Sequence, residues 1–376
     1  MIPQAAELDS PHKEKKRLIR RLKLDRSQRL RHTIQIAFVL LNAWLGIQFY
    51  LWVRFFENGR LGLAVPRPAG AEGWLPIAGL MNFKYFLLTG RVPTIHPAAM
   101  FLFMAFLAMS LLAKKSFCSW LCPVGTFSEA LARIGKKIFR HNLRLPRWLD
   151  IPLRGLKYLL LGFFVFIIGA MSAAKIGDFM HTPYGLIADV KMLNFFREMG
   201  ETSAIVLAAL VLLSILVENF WCRYLCPYGA LMGLASLVSP LKIRRDSAAC
   251  IDCARCAHAC PASLPVDKLA QIRSVECTAC MACIASCPAE GALRFSLAPG
   301  RVPASPGVPG FARQSGAPLP RFRRPVTPLA MAAIIAFIFL GTVLVARATN
   351  HWQTQVPNSV YQKLVPNANL ATHPGY

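Results

Sequence analysis

The stretch "LLAKKSFCSWLCPVGTFSEALA" at residues 111–132 is matched in kind, position for position, by "ILVENFWCRYLCPYGALMGLAS" at 215–236. Both run from an apolar helix end through two polar residues and aromatics into Cys-x3-Cys-Pro, then Gly and a new apolar pattern. Cys118 and Cys122 stand four apart, as do Cys222 and Cys226, so within a helix each pair shares a face. Pro123 and Pro227 disfavour helix at the preceding cysteine and open a new element. An apolar run precedes each unit and another precedes that run. The pattern predicts a duplicated two-helix hairpin, its copies facing the same way about an axis along a membrane normal. Each copy then carries a thiol pair at one helix end. Cys118, Cys122, Cys222 and Cys226 together supply four thiolates, enough for a candidate additional metal centre. A single such pair would read as packing, because free cysteine behaves as a small buried hydrophobe. Two symmetric copies, each followed by Pro-x-Gly, favour a metal or redox role. Spacing leaves open whether the centre is an iron–sulfur cluster, another metal or a redox dithiol.

The 376-residue chain has a mean hydropathy of +0.42 and only 16% charged residues, well under the soluble average. Five apolar runs stand out: His32–Val53, Ala98–Ala113, Gly155–Ala174, Thr202–Val217 and Pro328–Ala346. The first, third and fifth approach the roughly 20 residues that cross a hydrocarbon core, and the second and fourth, roughly 16 long, lie between a spanning and a buried helix. "SFCSWL" and "NFWCRYL" carry those two towards the headgroup level that Trp and Tyr favour. A net charge of +25 would suggest nucleic acid in a soluble chain. Here the positive charges sort by loop. They crowd residues 1–31, the segment after the second run and the segment between the fourth and fifth, and they thin out over 54–97, 175–201 and 347–376. The positive-inside bias therefore predicts a multi-pass protein of the bacterial inner membrane, N-terminus cytoplasmic and C-terminus periplasmic, with lipid rather than nucleic acid as its partner. The first 30 residues are too charged for a cleaved signal peptide, so the first run reads as an uncleaved anchor.

All twelve cysteines fall on the side predicted to be cytoplasmic. Disulfides are rare in a reducing compartment, so metal ligation is the expected use. Eight of them form "CIDCARCAHACP" at 250–261 and "CTACMACIASCP" at 277–288. Each reads C-x2-C-x2-C-x3-C-P, the bacterial ferredoxin spacing in which the fourth cysteine ligates the other cluster. Cluster one is assigned Cys250, Cys253, Cys256 and Cys287. Cluster two is assigned Cys277, Cys280, Cys283 and Cys260. Zinc needs only four ligands and gives no reason for the third cysteine or the proline of each run. No CxxCH occurs, so covalent haem is not supported.

The expected fold class is thus a polytopic α-helical membrane protein with an inserted 2[4Fe–4S] ferredoxin-like domain. Its parts are a basic cytoplasmic arm (1–31), a four-helix membrane domain with the two repeats (32–240), the ferredoxin-like domain (241–297), a Pro/Gly/Arg linker (298–327), a fifth transmembrane helix (328–346) and a periplasmic tail (347–376). After Pro123, Phe127, Leu131, Ile134 and Ile138 share one helical face, with basic residues largely elsewhere, which suits a helix on the inner leaflet. An electron carrier in a membrane suggests quinol as its substrate, and quinol oxidation releases protons, so a base helps. Candidates near the outer surface are His96, Asp178, His181 and Asp189, with Tyr184 nearby. Glu218 is a candidate for tuning the second cysteine pair.

The repeated Cys-x3-Cys-Pro phrases, each after an apolar run, followed by the paired ferredoxin runs, resemble over roughly residues 32–295 a known family. It is the membrane polyferredoxins of the NapH, NosR, MauN and CcoG type. The layout is most similar to NapH-type quinol dehydrogenase subunits. NosR-like proteins carry a large outside domain near the N-terminus and CcoG-like proteins one at the C-terminus, and neither is present here. The resemblance implies electron transfer between the quinone pool and a periplasmic or cytoplasmic redox partner protein. Two alternatives are a maturation or metal-reducing factor for another metalloenzyme and a redox-sensing membrane regulator.

Overall fold

The computed structural model describes residues 25–143, 145–297 and 325–374. Most of the expected basic arm and of the 298–327 linker lies outside the described residues. The elements are α1 (Ser27–Glu57), a 3-10 turn (Ala69–Trp74), α2 (Pro76–Thr89), α3 (Pro97–Ala113), α4 (Ser116–Trp120), α5 (Pro123–Phe139), α6 (Arg147–Ala170), α7 (Ala173–His181), α8 (Pro183–Leu186), α9 (Ala188–Arg197), α10 (Glu201–Leu216), a π-turn (Trp221–Leu225), α11 (Pro227–Ala235), β1 (Leu241–Arg245), α12 (Arg255–His258), α13 (Ala282–Ser286), β2 (Leu293–Leu297), α14 (Pro328–Ala348) and α15 (Asn358–Leu364). Proline opens α2, α3, α5, α8, α11 and α14, where its missing N–H leaves no intrahelical bond unmade.

Among the described residues three helices are long and apolar enough to cross a membrane: Ser27–Glu57, Trp148–Ala170 and Pro328–Ala348. The chain is largely helical and membrane-embedded. The fourth apolar run becomes α10, bent by 80° from α9. The second becomes α3, which is short and central. Ala98, Met100, Met109 and Ala113 along it are fully buried, against α2 and α14 among others. A helix apolar all round is one that other helices surround. Lipid tails are as apolar as these side chains, so α3 is held by close packing and hydrogen bonds rather than by escape from water. Asn82 of α2 donates to the carbonyls of Ile95 and His96 (2.9 and 3.0 Å). Helix α2 itself falls in the stretch read as an outside loop.

Helix α1 begins at Ser27, ahead of the expected His32. Its extra turn buries Arg31, which with Gln35 one turn on binds polar partners rather than facing lipid. Helix α5 has the expected apolar stripe, and Phe127, Ile134 and Ile138 on it are exposed. The tail is docked: Tyr361 of α15 stands edge-on to Trp52 of α1, centroids 4.9 Å apart.

Strands β1 and β2 pair antiparallel, Leu241 opposite Leu297 and Arg245 opposite Leu293, and close the segment that holds both ferredoxin runs. Ile243 and Phe295 face its core. That core is continuous with Phe106, Met109 and Ala113 of α3 and with Trp120 of α4. The ferredoxin-like segment therefore sits on one end of the helix bundle, the end that carries the two cysteine repeats.

Candidate metal centres and their cavity

The two repeats end alike. The Cys122 amide donates to Phe117 O (2.9 Å) and the Cys226 amide to Trp221 O (3.0 Å), each five residues back. Such a widened turn is a recurrent feature of functional sites. Each cysteine carbonyl then accepts the first bond of the next helix, from Thr126 N (3.0 Å) and Ala230 N (3.1 Å). The proline fixes the turn between. This local design brings the two thiol pairs face to face: Cys122 lies in the field of Cys118, Cys222 and Cys226. All four are half-buried only because one side opens on a cavity. Burial pushes the Cys118 thiol up to about 11 and the Cys222 thiol up to about 12. Buried thiols with such values ionise when a metal supplies the compensating positive charge.

Among the described residues no three His, Cys, Asp or Glu side chains converge on a single ion. The ligands of a cube bind different irons, so their sulfurs need not crowd one point. The donor set here, four thiols and no imidazole, suits iron–sulfur chemistry. A buried cation fits it as well. Lys115 is 4% exposed, and its ammonium makes no hydrogen bond or ion pair among the described residues. Burial works against its charge, but Cys118, Glu276, Cys226 and Cys222 together outweigh that and raise its pKa.

In the ferredoxin-like segment the structure groups cysteines across the two runs. Cys250, Cys253, Cys256 and Cys287 line one small pocket. Cys260 lies in the field of Cys280 and Cys277, and Cys283 in that of all three and of Cys256 from the first set. Both runs use the same backbone device. Asp252 and Ala254 in the first, and Ala279 and Met281 in the second, take φ between +52° and +58°. A non-glycine residue in that region costs on the order of 1 kcal/mol or more, and four at matching positions mark a constraint. The turns aim amides at sulfur, Ala257 N at Cys256, Ala279 N at Cys277 and Ala282 N at Cys280, the inward-pointing N–H concavity that anionic clusters occupy.

The first repeat touches the second run directly. Ser119 Oγ donates to Thr278 O (2.6 Å) and Trp120 Nε1 to Ala279 O (3.2 Å). Gln28 of α1 donates to Cys280 O (2.9 Å). Lys157 of α6 holds both oxygens of Glu276 (2.6 and 2.8 Å), the residue before Cys277. The cavity, about 1030 Å³, runs from the four thiols along α1, α3 and α14. Phe103, Phe106 and Phe117 wall it, with Tyr228 against them at 6.0 to 6.5 Å between centroids. The Tyr228 hydroxyl has no hydrogen-bond partner among the described residues. Glu218 also lines the cavity.

At the opposite end the cavity reaches Arg67, part of a buried cluster. Arg67 pairs with Glu72 (2.8 Å) and Asp189 (2.6 Å). His96 Nδ1 lies 3.3 Å from Glu72 and its Nε2 donates to Gly185 O (2.9 Å). Burial opposes charge on His96, but Glu72 outweighs it and raises its pKa. Of the proposed outer candidates the structure therefore unites His96 and Asp189. It leaves out His181, which bonds Gly177 O within its own helix (2.8 Å), Asp178, and Tyr184, which stands edge-on to His373. Sequence reasoning missed Arg67, Glu72, Lys115, Lys157 and Glu276. The lysine pair at 114–115 was visible only as loop charge.

A family model described as "4Fe-4S binding domain" matches residues 95–142 and again 200–246, and one described as "4Fe-4S dicluster domain" matches 242–288. The chain is 47% identical to the putative electron transport protein YccM of Escherichia coli (strain K12) over 91% of each chain. It is 28% identical to the ferredoxin-type protein NapH of the same organism over 40% of this chain and 49% of that one. It is 32% identical to the protein NirI of Paracoccus denitrificans over 55% of this chain and 30% of that one. No solved structure matches. The chain belongs to the NapH-like family of ferredoxin-type electron transport proteins, with YccM, NirI, NosR and MauN, and is an iron–sulfur protein of the membrane.

Proposed function

We propose that the protein passes electrons between quinol in the bilayer and a redox partner through three iron–sulfur centres. Cys250, Cys253, Cys256 and Cys287 hold one [4Fe–4S] cluster, and Cys277, Cys280, Cys283 and Cys260 hold a second. Cys118, Cys122, Cys222 and Cys226 hold a third. When bound, the clusters supply one-electron steps at potentials set by charge, burial and hydrogen bonds to sulfur. The chain's own residues do the rest. The Phe-walled cavity admits an apolar ring and tail and excludes water, and Tyr228 offers a free hydroxyl to the headgroup beside the thiols. Ser119 and Trp120 fix the distance from the third site to the loop that carries Cys277 and Cys280.

The observation that carries this reading is the alignment of cavity, four thiols and second ferredoxin run within one continuous core. That one family model matches both repeats supports the duplicated hairpin and the cluster at its thiols. We read five spans, α1, α3, α6, α10 and α14, in the bacterial inner membrane. The arm and iron–sulfur domain face the cytoplasm and the tail the periplasm, as the distribution of Lys and Arg supports.

The test is anaerobic purification with iron and sulfide counts, followed by EPR after quinol addition. Three cubes give about twelve irons and two give about eight. Cys118→Ser with Cys222→Ser should remove about four irons and one signal while sparing the ferredoxin pair. A protein with irons for two cubes, unchanged by those substitutions and not reduced by quinol, would overturn the reading.

A further inference from the structure

Lys115 is a buried cation whose ammonium makes no hydrogen bond or ion pair among the described residues. Its neighbour Lys114 donates to Ser274 O (3.3 Å). The Glu276 carboxylate, which acts on Lys115 without an ion pair to it, is held through both oxygens by Lys157 (2.6 and 2.8 Å), so two lysines share one carboxylate. Besides Glu276, the groups that act on the Lys115 ammonium are sulfurs from both repeats: Cys118, Cys226 and Cys222. A methyl group built on Gly229 would touch Cys226 Sγ at 3.4 Å and Lys115 Nζ at 3.5 Å. Leaving one charge buried and unpaired is among the more destabilising things a fold can do. Four neutral thiols would not relieve it. Four thiolates on an iron–sulfur cube carry net negative charge, and reduction adds one more electron.

We propose that Lys115 is the counter-cation of the four-cysteine centre and sets its midpoint potential. This rests on the reading that these cysteines hold a cluster. An ammonium fixed beside the sulfurs stabilises the reduced, more negative form more than the oxidised one, so it raises the potential. One electron enters from quinol or from the ferredoxin pair, no bond is made, and the added charge is met by a cation already in place. Lys115 acts through the cluster and touches no substrate; it is a positioning residue. The asymmetry is built in, because three residues ahead of the first cysteine the second repeat has Asn219 where the first has Lys115, so the aligned position supplies one cation to both pairs.

The experiment is an EPR-monitored potentiometric titration of the anaerobically purified full chain with soluble mediators, on the wild type, Lys115→Met and Lys115→Arg. The Met variant should lower the midpoint of the third centre so that, at the wild-type midpoint, the reduced-to-oxidised ratio falls about tenfold, about 59 mV for a one-electron couple. The Arg variant should keep most of the wild-type value, and the two ferredoxin signals should not move in either. A third-centre midpoint unchanged in the Met variant overturns the proposal while leaving the cluster reading intact. Loss of the third signal in Met but not in Arg supports it, since charge is then what holds the anionic cluster. Loss in both overturns it, since shape and not charge is then at stake. A wild type with irons for two cubes and no third signal removes the cluster reading itself, and this proposal with it.

Discussion

The two cysteine repeats share their ends and differ in their middles. Both close with a hydrogen bond from the second cysteine's N–H to the carbonyl five residues back, and both start a helix at proline. Between the cysteines, the first repeat has Ser119 and Trp120 where the second has Arg223 and Tyr224. The first pair reaches out to the ferredoxin loop, at Thr278 and Ala279. The second reaches back to α6, where Asp150 takes two bonds from Arg223 (3.0 Å each) and one from the Tyr224 hydroxyl (2.6 Å). The residues that present sulfur are repeated, while the spacers decide what each pair is anchored to. One repeat is tied to the iron–sulfur segment and the other to the membrane helices.

The sharpest break in the comparison concerns the glycine of Cys-Pro-x-Gly. In the first repeat a Cβ on Gly125 would lie 2.3 Å from the Cys118 carbonyl oxygen. Backbone cannot yield that far without moving the cysteine. Gly125→Ala should cost about 3 kcal/mol and, on the proposed three-centre reading, remove about four irons, read by iron count and EPR. Next in size is Asp150→Ala. It strips the acceptor from Arg223, Arg154 and Tyr224, at about 2–3 kcal/mol for bonds to a charged group. Thermal unfolding in detergent should show the loss while the ferredoxin signals stay intact. If those signals shift with the loss of Asp150, the division of labour between the repeats is wrong.

A smaller effect sharpens the comparison through pH. Glu129 of α5 accepts from Arg31 (2.6 and 2.8 Å) and Gln35 (3.1 Å). The same two side chains also donate to Ser119 O (3.2 and 2.9 Å). Burial opposes ionisation of Glu129, but Arg31 wins and holds its carboxyl down at about 2, against 4.5 when unfolded. A depressed folded value means the stability is present above pH 4.5 and lost as pH falls from there towards 2. Discounted for partial exposure, the contribution is about 2 kcal/mol. Stability measured by fluorescence should fall below about pH 5, and Glu129→Gln should flatten that slope. An unchanged slope would show that the first repeat is not gripped through this carboxylate.

The cysteine runs were legible because their spacing is short-range, and 4Fe-4S family models match the segments that carry them. The grouping of Cys256 with Cys287, and of Cys260 with Cys277, follows from the same rule. Hydropathy was less informative where two environments look alike. It could not separate α3, buried among helices, from a helix facing lipid. It passed over α2, where Gly79, Asn82 and Lys84 break the apolar run although Gly79 lets α2 lie against Ala99 of α3. Lys115 and Lys157 were hidden for a different reason. A lysine at the end of an apolar run is what the positive-inside bias predicts, and only the fold shows which of them turn inward to sulfur and to Glu276.

The smallest expected effect is the most discriminating, because it uses the same substitution at the equivalent place. Gly229 donates its amide to Cys226 Sγ (3.2 Å), a bond that any residue other than proline retains. A Cβ there meets Cys226 Sγ at 3.4 Å and Lys115 Nζ at 3.5 Å, ordinary van der Waals contact with the end of a flexible side chain. Gly229→Ala should therefore change stability by under about 1 kcal/mol, with helix propensity partly offsetting any crowding, and should keep the full iron content. The pair of alanine variants then reads the asymmetry directly. If Gly229→Ala loses iron as Gly125→Ala does, both glycines serve one shared turn, and the repeats are equivalent rather than specialised. If only Gly125→Ala does, the first repeat is the one whose backbone has no slack, as its position between the cavity and the ferredoxin loop requires.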